Sequence, residues 1–106
     1  MASKIKFESV KHGEIMYNVY LLESVESGRW YIGYTPSPIK ERLIKHNSGI
    51  VISTRPFMPW KLIYSESYLN RKDATGREKF LKSGTGRKYL KKQLSNYLAL
   101  DLINNI

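Results

Sequence analysis

The sequence predicts an α+β fold in which a small three-stranded sheet is flanked by helices. Two runs rich in strand-forming residues, at 17–23 and 29–35, are separated by a short turn sequence, and a third alternating run lies at 60–68. Helical periodicity occupies the segments after the second and third runs. The element order is therefore β-β-α-β-α-α, which suits a single small sheet covered by helices.

The first two strands, "YNVYLLE" and "RWYIGYT", form a predicted β-hairpin around the turn sequence "SVESG". If the turn is centred between Val25 and Glu26, Tyr20 lies directly opposite Tyr31. Cross-strand partners project from the same face of a sheet. We therefore expect these two phenols to stand side by side.

The helix that follows has a start signal and a stop signal. Ser37 supplies a hydroxyl for the N-cap, and Pro38 suits the first helical position. The sequence "IKERLIKH" continues the helix, and residues 47–49, "NSG", are a plausible C-cap.

Two polar residues lie on or beside the core-facing stripe of this helix. Ile39, Leu43 and His46 recur at spacings of four and three, and Arg42 lies at the edge of the same stripe, one turn before His46. Polar groups on the buried side of an amphipathic helix call for partners, so both are candidate site residues.

The third strand comes after a loop at 50–59. In "WKLIYSESY" the residues Trp60, Leu62 and Tyr64 alternate with Lys61, Ile63 and Ser65, so the first three are expected on one face.

A second helix is predicted at 71–83. Ala74 and Leu81 mark its apolar face, and Glu78 is four residues after one and three before the other. A carboxylate on such a face is expected to be paired or to ligate a metal. Gly76 is unfavourable in a helix interior by about 1 kcal/mol, which suggests close packing there.

The remaining segments are assigned more coarsely. Residues 84–86, "GTG", are expected to break the chain, and a basic amphipathic helix resumes at 87–98. Residues 1–15 are interpreted as an N-terminal extension, 16–93 as the main domain and 94–106 as a C-terminal helix or tail.

Composition narrows the class of protein. A chain of 106 residues with 42% hydrophobic and 25% charged residues is expected to form one globular domain. It has no Cys and two His, which excludes disulfides, thiol nucleophiles and ordinary zinc sites. No apolar run has the length of a membrane span, and no signal peptide is evident, so we expect a cytoplasmic location without membrane association.

Positive charge is concentrated in one segment. The chain carries 18 Lys and Arg against 9 Asp and Glu, a net charge of +9. Residues 71–93 hold nine of the positive and two of the negative side chains, so this segment accounts for +7. Such a surface attracts polyanions, and nucleic acid is the expected partner, although solubility alone is an alternative explanation.

Each candidate site residue has an alternative structural role. Tyr20 and Tyr31 could be ordinary strand aromatics, and His46 could be a core histidine. Arg42 and Glu78 could form a structural ion pair. The Lys-rich last helix could be a solvated surface.

Together the candidates suit phosphodiester hydrolysis. That reaction needs an activated water and cationic stabilisation of the phosphate oxygens. Arginine can donate two parallel hydrogen bonds to phosphate. A single carboxylate suits a sparsely ligated Mg²⁺, and a tyrosine can act as a base if a cation lowers its pKa from about 10.

The spacing of these residues resembles a known family. "NVY" at 18–20, followed after ten residues by "YIG" at 31–33, resembles the paired signature of the GIY-YIG endonuclease superfamily. Later blocks, including "YTPSPIKERLIKHNSG", "STRPFMPWKLIYSESY" and "REKFLKSGTGRKYLKK", are similar to its small stand-alone bacterial branch. The similarity spans about residues 16–93, and the first motif departs from the pattern in reading Asn-Val-Tyr.

The resemblance implies a three-stranded antiparallel sheet flanked by helices, and it assigns roles to particular residues. Tyr20 and Tyr31 match the two motif tyrosines, one of them the candidate general base or its positioner. Gly33 matches the motif glycine, where a side chain would crowd the site. Arg42 matches the helix arginine that stabilises the phosphate. His46 matches a polar position one turn later that acts with the tyrosine as general base. Glu78 matches the single metal-ligating carboxylate.

The expected function is thus a metal-dependent DNA endonuclease, acting on branched, nicked or single-stranded substrates. The cofactor would be Mg²⁺, with Mn²⁺ as the alternative, and DNA is favoured over RNA as the partner. A nucleic-acid-binding module without catalysis is the alternative function. The nucleic-acid-binding residues expected in the basic segment are Arg77, Lys79, Lys82, Arg87, Lys88, Lys91 and Lys92.

Overall fold

A computed structural model describes residues 16–104 and confirms the α+β class with a three-stranded antiparallel sheet. The strands are β1 (Tyr17–Ser24), β2 (Trp30–Thr35) and β3 (Trp60–Tyr68), in the spatial order β2-β1-β3. The expected extension at 1–15 lies outside the described residues.

Four α-helices accompany the sheet within this part of the chain. They are α1 (Ile39–Asn47), α2 (Arg71–Lys82), α3 (Gly84–Gln93) and α4 (Ser95–Asn104), and a short 3-10 helix spans Arg55–Phe57. The segment expected as a helix or a tail is therefore helical over most of its length. None of the helices in residues 16–104 is long and apolar enough to cross a bilayer.

The central strand β1 separates two hydrophobic clusters. On one face, Val19 and Leu21 pack with Ile32 beneath helices α2 and α3, which contribute Leu81 and Leu90. Alternation of side chains along a strand sends the next residues to the other face.

The second face of β1 is covered by α1 and by the loop before β3. Tyr20 and Leu22 pack there with Trp60, and Ile39 and Leu43 of α1 cover them. Tyr20 is thus a core residue that carries a hydroxyl into the interior, where the group requires a hydrogen-bond partner.

The hairpin register differs from the predicted one. Tyr20 lies opposite Gly33, and Tyr31 lies opposite Leu22, so the predicted direct pairing of the two tyrosines is wrong by two residues. The turn is centred one residue later than expected. Since a two-residue shift keeps every side chain on its face, Tyr20 and Tyr31 still share one face, with ring centroids 6.3 Å apart.

Helix boundaries also differ, and the single helix predicted at 87–98 is divided at Leu94 into α3 and α4. Pro38 occupies the N-cap of α1 and no side chain caps that helix, so the predicted Ser37 cap is wrong. Helix α3 begins at Gly84, and the break falls on Ser83. The Ser83 hydroxyl accepts a hydrogen bond from the Gly86 N–H at 3.0 Å, which makes Ser83 an N-cap and puts the two glycines in the first turn.

A β-bulge divides strand β3 into two parts. Leu62 pairs with Leu22, but Tyr64 pairs with Leu21, so Ile63 is an extra residue. Trp60 and Leu62 therefore lie on the Tyr20 face, whereas Tyr64 lies on the opposite face. The predicted alternation of these three residues on one face is wrong for Tyr64.

The close helix contact involves Gly86 and not Gly76. A side chain at Gly76 would have no neighbour within 4 Å, so the expected tight packing there is wrong. A Cβ at Gly86 would overlap the Phe80 carbonyl oxygen and lie 2.6 Å from the Leu81 Cα. Glycine at this position lets α3 fold back directly against the end of α2.

We expect Gly86→Ala to lower the free energy of unfolding by about 2–3 kcal/mol, because backbone atoms must separate to admit the methyl group. Gly84→Ala is the matched control. It introduces the same methyl group two residues earlier, where nothing lies within 4 Å, and should be neutral or stabilising. Urea denaturation of both variants measures this, and equal midpoints would contradict the assigned contact.

Candidate active site

The candidate site is organised around the Tyr20 hydroxyl. Tyr20 is 2% exposed on β1, and its oxygen lies 2.9 Å from His46 Nε2 on α1. Arg42 Nε–H, one turn earlier on the same helix, donates to the Tyr20 oxygen at 3.5 Å. The spacing of four residues places Arg42 and His46 on one side of α1, where both reach the same oxygen.

Gly33 provides the room for the Tyr20 ring. The two residues are directly paired across β1 and β2, and a Cβ on Gly33 would overlap the Tyr20 hydroxyl and its Cζ. The motif glycine is therefore required by a neighbouring phenol in the sheet itself.

Tyr31 forms the adjacent wall of the site. Its half-buried ring lies 5.0 Å from the His46 ring and 6.2 Å from that of Trp60, centroid to centroid. Edge and tilted contacts of this kind favour a fixed orientation of aromatic rings. The imidazole is consequently enclosed by two tyrosines.

The second nitrogen of His46 is held by Thr54, which the sequence did not single out. His46 Nδ1 lies 2.8 Å from Thr54 Oγ1, and both residues are fully buried. The Thr54 carbonyl accepts from Trp60 Nε1 at 2.9 Å. The side chain of Asn47 bonds both the N–H and the carbonyl of Trp60, at 2.7 and 2.9 Å, and ties α1 to the start of β3.

The protein environment keeps the side chains of Tyr20 and His46 uncharged. Burial raises the pKa of Tyr20, and the hydrogen bond from Arg42 opposes this without cancelling it. The expected lowering of the tyrosine pKa by a cation is therefore outweighed. Burial, with a smaller contribution from the charge of Arg42, lowers the pKa of His46 from 6.5 to about 4. His46 is a neutral imidazole at physiological pH.

Glu78 acts on the site through its charge and makes no hydrogen bond to the other site residues within the part of the chain that the structure describes. It lies on α2, and its charge contributes to raising the pKa of Tyr20, after burial and the influence of Tyr31. Its Oε2 lies 3.0 Å from Lys82 Nζ. Across residues 16–104 no group of three His, Asp or Glu residues is arranged to hold a metal ion. A single carboxylate with substrate and water oxygens still suits Mg²⁺, so Glu78 fits that role if Lys82 releases it.

The basic residues fall into two groups. Arg77 is half-buried and donates from Nε and Nη2 to Glu66 at 2.9 and 3.0 Å, while the hydroxyls of Tyr64 and Tyr68 also bond Glu66. Its charge is therefore engaged within the protein. The other six candidates, which we call the basic surface, are exposed on α2 and α3: Lys79, Lys82, Arg87, Lys88, Lys91 and Lys92.

The structure thus brings some candidates together and separates others. Tyr20, Tyr31, Gly33, Arg42 and His46 meet on the face of the sheet covered by α1. The basic surface lies on the helices of the opposite face.

A family model described as the GIY-YIG catalytic domain matches residues 16–92. The chain belongs to the GIY-YIG family. The match takes in both motif tyrosines, the α1 residues and Glu78, so this GIY-YIG domain contains every candidate site residue named above.

Curated relatives of this chain include proteins named UPF0213. A UPF0213 protein of Streptococcus pneumoniae is 40% identical over 65 residues, which cover 60% of this chain and 64% of the relative. A UPF0213 protein of Streptococcus agalactiae is 38% identical over 68 residues, covering 63% and 75%. The chain therefore spans slightly less than two thirds of the pneumococcal relative.

A solved structure is also similar. The solution NMR structure of a UPF0213 protein from Bacillus halodurans is 32% identical, with a TM-score of 0.46, covering 78% of this chain and 85% of that chain.

The buried neutral imidazole predicts a pH-dependent stability. Unfolded His46 has a pKa of 6.5 and folded His46 a pKa of about 4, so the unfolded state binds more protons between these values. Stability is then fully present above pH 6.5 and falls as the pH drops toward 4. Between pH 7 and 5 we expect the free energy of unfolding to fall by about 2 kcal/mol.

Chemical denaturation at the two pH values measures this change, with His46→Gln as the control that lacks the titrating ring. An equal fall in both proteins would show that other groups cause it.

Proposed function

We propose that this GIY-YIG domain is a divalent-metal-dependent endonuclease that hydrolyses phosphodiester bonds in DNA. The observation that carries the proposal is the convergence of Arg42 and His46 on the hydroxyl of Tyr20, at 3.5 and 2.9 Å. A cation and a neutral base on one buried phenol are suited to phosphate binding and proton transfer in the same place.

Arg42 is the proposed phosphate ligand. It is half-buried beside the site, and within the described residues its Nε–H is the only donor that has a partner. Its two terminal nitrogens remain to bind phosphate oxygens, where a planar guanidinium stabilises the charge that develops on phosphorus.

Tyr20 and His46 are the proposed base. As the water oxygen bonds to phosphorus, its proton passes to the Tyr20 oxygen, and the Tyr20 hydroxyl hydrogen passes to His46 Nε2. The bond from phosphorus to the leaving oxygen breaks, and that oxygen takes a proton from solvent. Because the pKa of Tyr20 is raised, a free tyrosinate is unfavourable, and transfer through a neighbour avoids it.

The low pKa of His46 is compatible with this role once substrate is present. Burial is the main cause of the lowered pKa, and the positive charge of Arg42 is the second cause. A phosphodiester paired with Arg42 neutralises that second cause and brings a negative charge near the ring, so the imidazolium is less unfavourable during the reaction.

Glu78 is the proposed metal ligand. A bound Mg²⁺ would neutralise phosphate charge and orient the attacking water. For this chain the requirement is that the Glu78 carboxylate leaves Lys82, whose ammonium group would then be available to the substrate backbone.

The placement of the basic surface supports selection by DNA shape. Lys and Arg contacts to the backbone provide affinity without reading bases. Since the basic surface and Tyr20 lie on opposite faces of the sheet, a substrate that contacts both must extend around its edge. Branched, nicked or single-stranded DNA meets this requirement more readily than a straight duplex.

Cleavage of labelled single-stranded, nicked, branched and duplex DNA tests the proposal. We expect the wild-type protein to cleave with Mg²⁺ and not with EDTA, and Glu78→Gln to lose on the order of a hundredfold or more in kcat. Lys82→Gln is the matched control, because it breaks the same ion pair and keeps the carboxylate.

A similar loss of kcat in both variants would assign the effect to the ion pair. Binding without cleavage of any substrate would favour the alternative of a nucleic-acid-binding module.

The basic surface predicts a salt dependence that can be dissected. Lys88 and Lys92 lie one turn apart on the exposed side of α3. Changing both to Gln should reduce the slope of log K against log salt by about 0.9 for each phosphate that the variant no longer neutralises. Changing both to Arg keeps the charge and should keep the slope. A slope unaffected by the Gln changes would exclude α3 from the DNA interface.

A further inference from the structure

We infer that Thr54 is a positioning residue for the proposed reaction: its hydroxyl holds the hydrogen of neutral His46 on Nδ1 and so keeps Nε2 open to the hydroxyl of Tyr20. This inference rests on the proposed function for its catalytic consequence, but its structural content can be measured without any cleavage. Among the described residues Thr54 and Tyr20 share no hydrogen bond, so Thr54 acts through the imidazole.

The geometry forms a continuous chain of hydrogen bonds. Arg42 Nε reaches the Tyr20 oxygen at 3.5 Å, and that oxygen reaches His46 Nε2 at 2.9 Å. On the other side of the ring, Nδ1 reaches Thr54 Oγ1 at 2.8 Å, and Oγ1 reaches the Val51 carbonyl at 3.4 Å.

Only one direction of this chain gives every hydrogen an acceptor. If Nδ1 carries the hydrogen, it donates to Thr54, the Thr54 hydroxyl donates to Val51, and the Tyr20 hydroxyl donates to Nε2. Tyr20 then accepts from Arg42. Every hydrogen in the chain then has an acceptor, and the Val51 carbonyl at its end also accepts from the N–H groups of Thr54 and Arg55.

The reverse direction leaves a buried hydrogen without an acceptor. If Nε2 carries the hydrogen, the Tyr20 oxygen faces two donors, His46 and Arg42. Its own hydroxyl hydrogen then has no acceptor within residues 16–104. An unsatisfied buried donor costs about 1–3 kcal/mol, which makes this the minor tautomer in the ground state.

Thr54 is itself held firmly in place. It is 1% exposed, its N–H donates to the Val51 carbonyl at 3.2 Å, and its own carbonyl accepts from Trp60 Nε1 at 2.9 Å. Both backbone groups and the side chain of Thr54 are therefore engaged. A base oriented by a third, fixed group is the general arrangement of side-chain relays.

The chemical consequence concerns the direction of proton transfer. With the hydrogen on Nδ1, the Nε2 lone pair points at the Tyr20 hydroxyl and can take its proton. With the hydrogen on Nε2, the ring would block that transfer. Loss of the Thr54 hydroxyl should thus lower kcat and leave KM nearly unchanged, since Arg42 and the basic surface still bind the substrate.

The experiment uses the ring-nitrogen resonances of His46 in ¹⁵N-histidine-labelled protein at pH 7, together with cleavage kinetics. In the wild type we expect a neutral ring with the hydrogen on Nδ1. Thr54→Val keeps the side-chain shape and removes the hydroxyl, so that either tautomer then leaves one buried hydrogen unpaired. Hydrogen should therefore appear on Nε2 in part of the population, and kcat should fall severalfold. Thr54→Ser should restore both readouts.

Thr35→Val is the matched control, because it removes another buried threonine hydroxyl, one that accepts from the Ser37 N–H at 3.0 Å. It should leave the His46 tautomer and kcat as in the wild type.

A wild-type ring with its hydrogen on Nε2 would overturn the inference, even if Thr54→Val failed to fold. So would an unchanged tautomer in a folded Thr54→Val. A wild-type protein with the Nδ1 hydrogen and no cleavage of any DNA would refute the proposed function and leave the assignment of Thr54 supported.

Discussion

Strand β1 lies in the middle of the sheet, and both of its faces are covered by helices. Val19 and Leu21 fill one face, whereas Tyr20 and Leu22 fill the other. Since the Tyr20 side chain is almost wholly buried, the fold must supply a partner for its hydroxyl, and an unmade bond there would cost about 1–3 kcal/mol. His46 is that partner. Because His46 is also buried, its second ring nitrogen needs a hydrogen-bond partner too, and Thr54 provides it.

The site is consequently a row of polar side chains that are hydrogen-bonded to one another inside a hydrophobic layer. Each member is placed by a different element: Tyr20 by β1, His46 by α1 and Thr54 by the loop that leads to β3. Trp60 and Asn47 connect that loop back to α1 through hydrogen bonds. Stability and the proposed chemistry therefore depend on the same contacts, because loosening the loop would release the imidazole.

The sequence predicted the strands, the helices and the face shared by the two tyrosines, because residue alternation and helical spacing are local properties. It missed Thr54, since a threonine in a loop becomes significant only through a side chain eight residues away that the fold brings near. It also did not predict that Arg77 pairs with Glu66, which lies eleven residues earlier on β3. Contacts of this kind depend on tertiary packing, which local patterns do not record.

Because of the bulge at Ile63, the two halves of β3 contribute side chains to opposite faces of the sheet. Before the bulge, Trp60 Nε1 donates to the Thr54 carbonyl; after it, Glu66 pairs with Arg77 on the far side and accepts from its two tyrosine neighbours. Without the extra residue, one half of the strand would present its side chains to the wrong layer. Homologues should therefore accept substitutions in one half of β3 without changes in the other. Deletion of one residue at the bulge, in contrast, should prevent folding.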